Sequence, residues 1–134
     1  MKRKCLIVFL LAAVLLLLIG CAKADPLKGA WVPETSFVYQ TADRYQQEPL
    51  TVFSVWSFDG NGNGTRTTYA DGVSETVSFS YKSFRDEGSF PDTDCLLLNG
   101  ETQIPYSFIG DALVLNITDD SGIRHRLEFR RISD

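Results

Sequence analysis

Between Val73 and Lys82 apolar and polar residues alternate, with Val73, Val77, Phe79 and Tyr81 on one side and Ser74, Thr76, Ser78, Ser80 and Lys82 on the other. A period of two sends successive side chains to opposite faces, so the stretch predicts a strand with one buried and one wet side. Glu75 interrupts the apolar side near its start, which suits an edge or rim better than a core. Turn signals punctuate the rest of the chain at Gly60 to Gly64, Asp71-Gly72, Asn99-Gly100, Gly110-Asp111 and Asp119 to Gly122. The intervening segments predict eight strands, at about 29–32, 51–58, 65–70, 73–83, 95–99, 102–109, 112–118 and 123–132.

Eight short strands joined by hairpins, with no crossover helix, predict an all-β fold. It is an antiparallel up-and-down barrel or a strongly curved sheet, and closure would remove the free edges. Residues 33 to 50, between Pro33 and Pro49, show no clean period. Phe37-Val38-Tyr39 can extend the first strand, and Ala42 to Gln47 can form a helical turn. The apolar phase of each strand predicts an inward set of Trp31, Val52, Trp56, Phe58, Val77, Phe79, Tyr81, Leu96, Leu98, Ile104, Tyr106, Phe108, Leu113, Leu115, Ile117, Ile123, Leu127 and Phe129.

The first residues carry a different pattern. Met-Lys-Arg-Lys precedes a continuous apolar run from Leu6 to Ile19, followed by Gly20-Cys21. A basic start, an apolar stretch and a small residue make a secretion signal. A membrane-spanning anchor is the alternative, but the run is shorter than the ~20 apolar residues a bilayer span requires, and no basic cluster follows it. Leu18-Ile19-Gly20-Cys21 resembles the lipoprotein box of bacterial lipoproteins. The resemblance implies cleavage before Cys21, acylation of its thiol, and a protein anchored to a membrane of the cell envelope, facing outside the cytoplasm. The chain then divides into a signal at 1–20, a lipidated cysteine with a short tether at 21–28, and a domain at 29–134.

Loss of the signal removes three of 13 basic residues, Lys2, Arg3 and Lys4, and none of the 17 acidic ones, so the mature domain stands near −7. Such a domain is repelled by phosphate backbones, which argues against nucleic acid as a partner. The bilayer partner is held through acyl chains instead. Of three cysteines, Cys5 leaves with the signal and Cys21 carries lipid, so Cys95 has no intrachain partner for a disulfide. Its apolar neighbours Leu96, Leu97 and Leu98 predict a buried, inert thiol.

Gly29-Ala30-Trp31 opens the first strand, and Leu127-Glu128-Phe129-Arg130-Arg131 ends the last. The pairing resembles lipocalins and their calycin relatives, in which a Gly-x-Trp start meets an arginine of the last strand. The resemblance implies that a guanidinium covers the indole and closes the barrel base. Arg131 shares a phase with Leu127 and Phe129 and is the first choice for that role, with Arg130 the second. The order of Gly29-Ala30-Trp31, Phe58-Asp59-Gly60 and Tyr106-Ser107-Phe108-Ile109-Gly110-Asp111-Ala112-Leu113-Val114-Leu115 is similar to small bacterial lipocalin-like lipoproteins. The chain is shorter than a classical lipocalin, and neither a C-terminal helix nor paired cysteines are found.

Candidate chemistry is sparse. His125, the single histidine, lies between Arg124 and Arg126, and positive neighbours disfavour its protonation. One histidine and one domain cysteine cannot close a zinc site. No Gly-x-Ser-x-Gly elbow or phosphate-cradling loop is present. Asp59, Asn61 and Asn63 follow the spacing of a calcium loop, but position twelve is Ala70 and strands flank it, so a hairpin turn is the main reading and weak calcium binding the other. The sequence therefore reads as non-enzymatic, without a cofactor. A barrel that binds a small apolar or peptide ligand would keep a cavity lined by Trp56, Phe79, Tyr106 and Leu115. The rings of Phe37, Tyr39, Tyr45, Phe84 and Phe90 either plug the barrel or form an apolar lip. An exposed patch at Phe37, Tyr39 and Phe90 would instead mark an envelope protein–protein interaction or structural module with a filled barrel.

Overall fold

The computed structural model describes residues 24–41, 44–88 and 93–134, and among them nine strands and no helix form the regular structure. They are β1 (Gly29–Thr41), β2 (Arg44–Glu48), β3 (Phe53–Phe58), β4 (Asn63–Ala70), β5 (Val73–Asp86), β6 (Thr93–Leu98), β7 (Thr102–Ile109), β8 (Ala112–Thr118) and β9 (Arg124–Ser133). From β3 to β9 each strand pairs with the next, and β1 pairs with both β3 and β9. The sheet thus closes into an eight-stranded antiparallel barrel with β2 as an extra strand.

Closure rests on β1. One edge runs against β9 from Ala30 to Val38, with register shifts between Ala30 and Trp31 and between Pro33 and Thr35. The second shift lies at Pro33, which has no N–H to give to a ladder. The other edge of β1 changes partner along its length: Gly29–Trp31 pair with β3, whereas Ser36–Thr41 pair with β2. Gly29 has φ 126°, and a Cβ there would lie 2.2 Å from the Ser133 carbonyl oxygen. Only a residue without a side chain lets the start of β1 pass so close to the end of β9.

The core is concentrated toward the end where β1 begins, here called the base. Trp31, Phe58, Tyr81, Leu96, Tyr106, Leu113, Leu115 and Phe129 are buried there. Leu27, with no exposed surface, belongs to the same cluster, so the folded part reaches back to the turn Asp25–Lys28. That turn is held by Trp31 Nε1 donating to the Leu27 carbonyl (2.8 Å) and Tyr81 Oη donating to Asp25 Oδ2 (2.5 Å). Burial raises the Tyr81 hydroxyl well above its ordinary pKa, and the Asp25 carboxylate adds to this, so the phenol stays a donor.

Several sequence expectations are corrected. Residues 44–48 form β2 rather than part of a helical turn; Ala42 and Asp43 lie outside the described residues. Phe37-Val38-Tyr39 does continue the first strand. Val52, Val77, Phe108 and Ile123 are exposed rather than core. Val52 and Ile123 precede their strands, and Val77 faces the unfilled end of the barrel. Phe108 lies at the base rim, its ring 6.1 Å from that of Trp31. Cys95 is buried as expected, and burial raises its thiol pKa.

Candidate functional site

The barrel interior is filled at the base and open toward the other end, the mouth. Cross-strand neighbours share a face, so the buried Trp56 fixes its partners Arg66 on β4 and Val77 on β5 as inward. Below them an aromatic group closes the floor, with Phe58 and Phe79 5.8 Å apart and Phe58 and Tyr81 5.0 Å apart. It fits because Gly64 leaves room: a Cβ there would lie 2.6 Å from the Phe79 ring and 2.5 Å from the Ser57 carbonyl oxygen.

Two breaks in strand pairing open the upper half. β7 and β8 pair only from Tyr106–Leu115 to Ile109–Ala112, leaving Thr102–Pro105 and Asn116–Thr118 without partners across that seam. A cavity of about 880 Å³ occupies this region, with Arg66, Val77, Phe79, Leu98, Ile104 and Ile117 in its wall and Gln103, Pro105 and Asn116 at the seam. β1 and β3 separate above Trp31–Trp56, and the segment Pro49–Val52 runs across that gap. A second cavity of about 350 Å³ lies there, lined by Trp56, Arg66, Ile117, Leu127 and Phe129 with Ser36, Glu48 and His125. Of the four residues expected to line a cavity, Trp56 and Phe79 do so, whereas Tyr106 and Leu115 are sealed in the core.

His125 differs most from its sequence reading. The flanking arginines take the opposite strand phase and lie over aromatic rings, Arg124 at 4.1 Å from the Tyr39 centroid and Arg126 at 5.8 Å from that of Phe37. The imidazole meets two carboxylates instead, Nδ1 at 2.7 Å from Glu48 Oε1 and Nε2 at 2.9 Å from Asp119 Oδ2. Hydrogen bonds to Asp119 and Glu48 raise its pKa above the ordinary value, the reverse of the effect expected from neighbouring arginines. Ser36 Oγ also donates to Glu48 Oε1 at 2.7 Å. Glu48 is held low chiefly by Ser36 and Asp119 chiefly by His125. A carboxylate thus stands between the hydroxyl and the imidazole, and both ring nitrogens are engaged, so the group is built as a clasp joining β1, β2, β9 and the β8–β9 turn. It does not present a serine to a base.

The remaining candidates can be placed. The Arg131 guanidinium lies 4.6 Å from the Trp31 ring centroid and donates to the Pro26 carbonyl at 2.6 Å. Arg130 points elsewhere, to Glu34. Phe37 and Tyr39 are half-buried on the outer wall beneath Arg126 and Arg124, so neither plugs the barrel. Tyr45 packs edge-on against Tyr39, while Phe90 and Cys21 lie outside the described residues. Asp59 Oδ1 accepts from the amides of Asn61 (2.7 Å) and Asn63 (3.0 Å), and those bonds lower its pKa. Asp119 Oδ1 accepts from Ser121 and Ile123 in the same way. The two loops share one geometry, a five-residue hairpin turn with glycine fourth, Gly62 at φ 95° and Gly122 at φ 81°. Among the described residues no group of three or more His, Cys, Asp or Glu side chains gathers around a metal position.

Fold and site together define a closed antiparallel β-barrel with a plugged base and a partly hollow upper half. Compared with known proteins, the chain matches no family model, no curated protein and no solved structure.

Proposed function

We propose that the protein is a lipoprotein anchored through acylated Cys21 to a bacterial envelope membrane, with a lipocalin-like barrel whose open half binds a small apolar ligand. The observation that carries the reading is the hollow: a domain this small leaves about 880 Å³ unfilled beside Phe79, Ile104 and Ile117, although burying apolar surface is its main source of stability. The lipoprotein box and the Gly29-Ala30-Trp31 start support the cellular and family parts of the reading. An environment-sensitive apolar dye should bind the full-length protein and brighten. Val77→Trp, at an exposed position of the cavity wall where a larger ring has room, should abolish that signal with little change in melting temperature. Equal dye binding by wild type and Val77→Trp would remove the hollow from consideration.

A second reading, an envelope interaction module, is favoured by the outward direction of Phe37 and Tyr39 on the outer wall. A photo-crosslinker placed at Tyr39 in intact cells should then give a discrete protein adduct. Adduct-free cells would count against this reading and leave the hollow as the site.

A further inference from the structure

We infer that the hollow takes an amphipathic anion, with an apolar body against Phe79, Ile104 and Ile117 and a carboxylate or phosphate on Arg66; this rests on the ligand-binding reading above. Arg66 is placed by its own strand. Its cross-strand partners are Trp56 and Val77, so it faces the interior, and it borders both cavities. Its guanidinium lies over the Trp56 ring, 5.6 Å from the centroid. The side chain is exposed and makes no side-chain hydrogen bond among the described residues, so its N–H donors stay available to a ligand while the ring face answers only its charge.

The charged groups around it sharpen the point. Among the described residues, Arg85, Arg126, Arg130 and Arg131 each have a carboxylate within ion-pair distance, whereas Arg44, Arg66 and Arg124 have none, and of these three Arg66 is the one whose strand phase faces the interior. Two polar pairs of the inner face are bonded to each other, Ser54 to Thr68 at 2.9 Å and Glu48 to His125 at 2.7 Å. Glu75 follows one inward position toward the mouth, opposite Thr68, and makes no ion pair with Arg66. Three charged side chains line the larger cavity, Arg66, Asp86 and Arg124; Arg124 is held over the Tyr39 ring on the outer phase, which leaves Arg66 as the cation of the inner phase. A planar guanidinium matches the paired oxygens of a carboxylate or phosphate. Apolar walls on either side account for the rest of the ligand.

Trp56 lies beneath Arg66, so its fluorescence provides the readout. Full-length protein is titrated with dodecanoate, dodecyl phosphate, dodecanol and dodecyltrimethylammonium below their micelle concentrations. Both anions should bind about ten- to a hundredfold more tightly than dodecanol, the range for charge-assisted hydrogen bonds, and the cation more weakly still. The tighter anion tells a carboxylate source from a phosphate source. Arg66→Gln should reduce the anions to the affinity of dodecanol. Arg66→Lys keeps the charge without the fork and should retain part of the preference, while Glu75→Gln should tighten both anions. Dodecanol binding as tightly as the anions, or an anion preference that survives Arg66→Gln, overturns the assignment to Arg66 while the hollow stands. Absence of binding by all four overturns both. Matching thermal unfolding of wild type and variants shows that each comparison is between folded proteins.

Discussion

Gly64 shows how much can depend on a missing side chain. It faces inward between Phe58 and Phe79, whose rings meet over it. Gly64→Ala would place a methyl 2.6 Å from Phe79 and 2.5 Å from the Ser57 carbonyl oxygen, and neither can yield without moving the aromatic floor or the β3 backbone. The expected cost is about 1–3 kcal/mol, as for other overpacked cores. Urea unfolding measures it, and an unchanged midpoint would contradict the packing described. His125 gives a second residue-scale prediction. Its pKa is raised, so its contribution to stability is complete below the ordinary value of 6.5 and fades as pH rises through the folded value. Glu48 and Asp119 are lowered from 4.5 and 3.8, so theirs are present above those values and fade as pH falls. The clasp is therefore tightest between pH 4.5 and 6.5. The partly exposed His125–Glu48 pair contributes under about 1 kcal/mol, or at most ~4–8 °C in a domain of this size. The melting-temperature difference between wild type and His125→Gln should peak in that window and shrink at pH 3 and pH 8. A difference independent of pH would remove the clasp's electrostatic role.

At the scale of elements, alternation and turn chemistry made seven strands after the first readable with small boundary errors, because each hairpin carries its own local signal. The sequence predicts the first strand to residue 32, with Phe37-Val38-Tyr39 as an extension, because Pro33 reads as a breaker, yet β1 runs through Pro33 at a bulge where the ladder needs no N–H from it. β2 was illegible for another reason. Arg-Tyr-Gln-Gln-Glu is exposed for most of its length and is held by pairing with β1 rather than by a buried face, so no periodicity marks it. Alternation also tells which residues share a face but not whether anything covers that face, so the apolar phase of β5 predicts Val77 as core although the barrel leaves it exposed. The clasp was invisible because Ser36, Glu48, Asp119 and His125 meet only when the barrel closes. The turn Asp25–Lys28 read as tether for lack of any pattern in so few residues, but it is an integral cap on the base. Tyr81→Phe, which removes its bond to Asp25, should destabilise the protein by about 1–2 kcal/mol. Hydrogen exchange at the Lys28 amide, bonded to the Asp25 carbonyl, should accelerate while strand amides keep their protection. Uniform acceleration would mean that the turn and barrel unfold as one unit.

For the whole molecule, the barrel was anticipated because eight hairpin-linked strands have few other ways to hide their edges, whereas its hollowness depends on where pairing fails, at β1/β3 and β7/β8. Anchoring is tested directly: Cys21→Ser should move the protein from the membrane fraction to the soluble fraction, and an unmoved protein would disprove lipid attachment at that residue. The docking of Asp25 to the base has a geometric consequence for that anchor. Four residue steps separate Cys21 from Asp25, about 14 Å at ~3.3–3.6 Å each. Acylation at Cys21, as proposed, would moor the barrel by its base, and a ligand of the hollow would then enter at the end turned away from the lipid. The protein would then serve as a receiving cup on the membrane, supplied from beyond it, rather than a tool for drawing molecules out of its own leaflet.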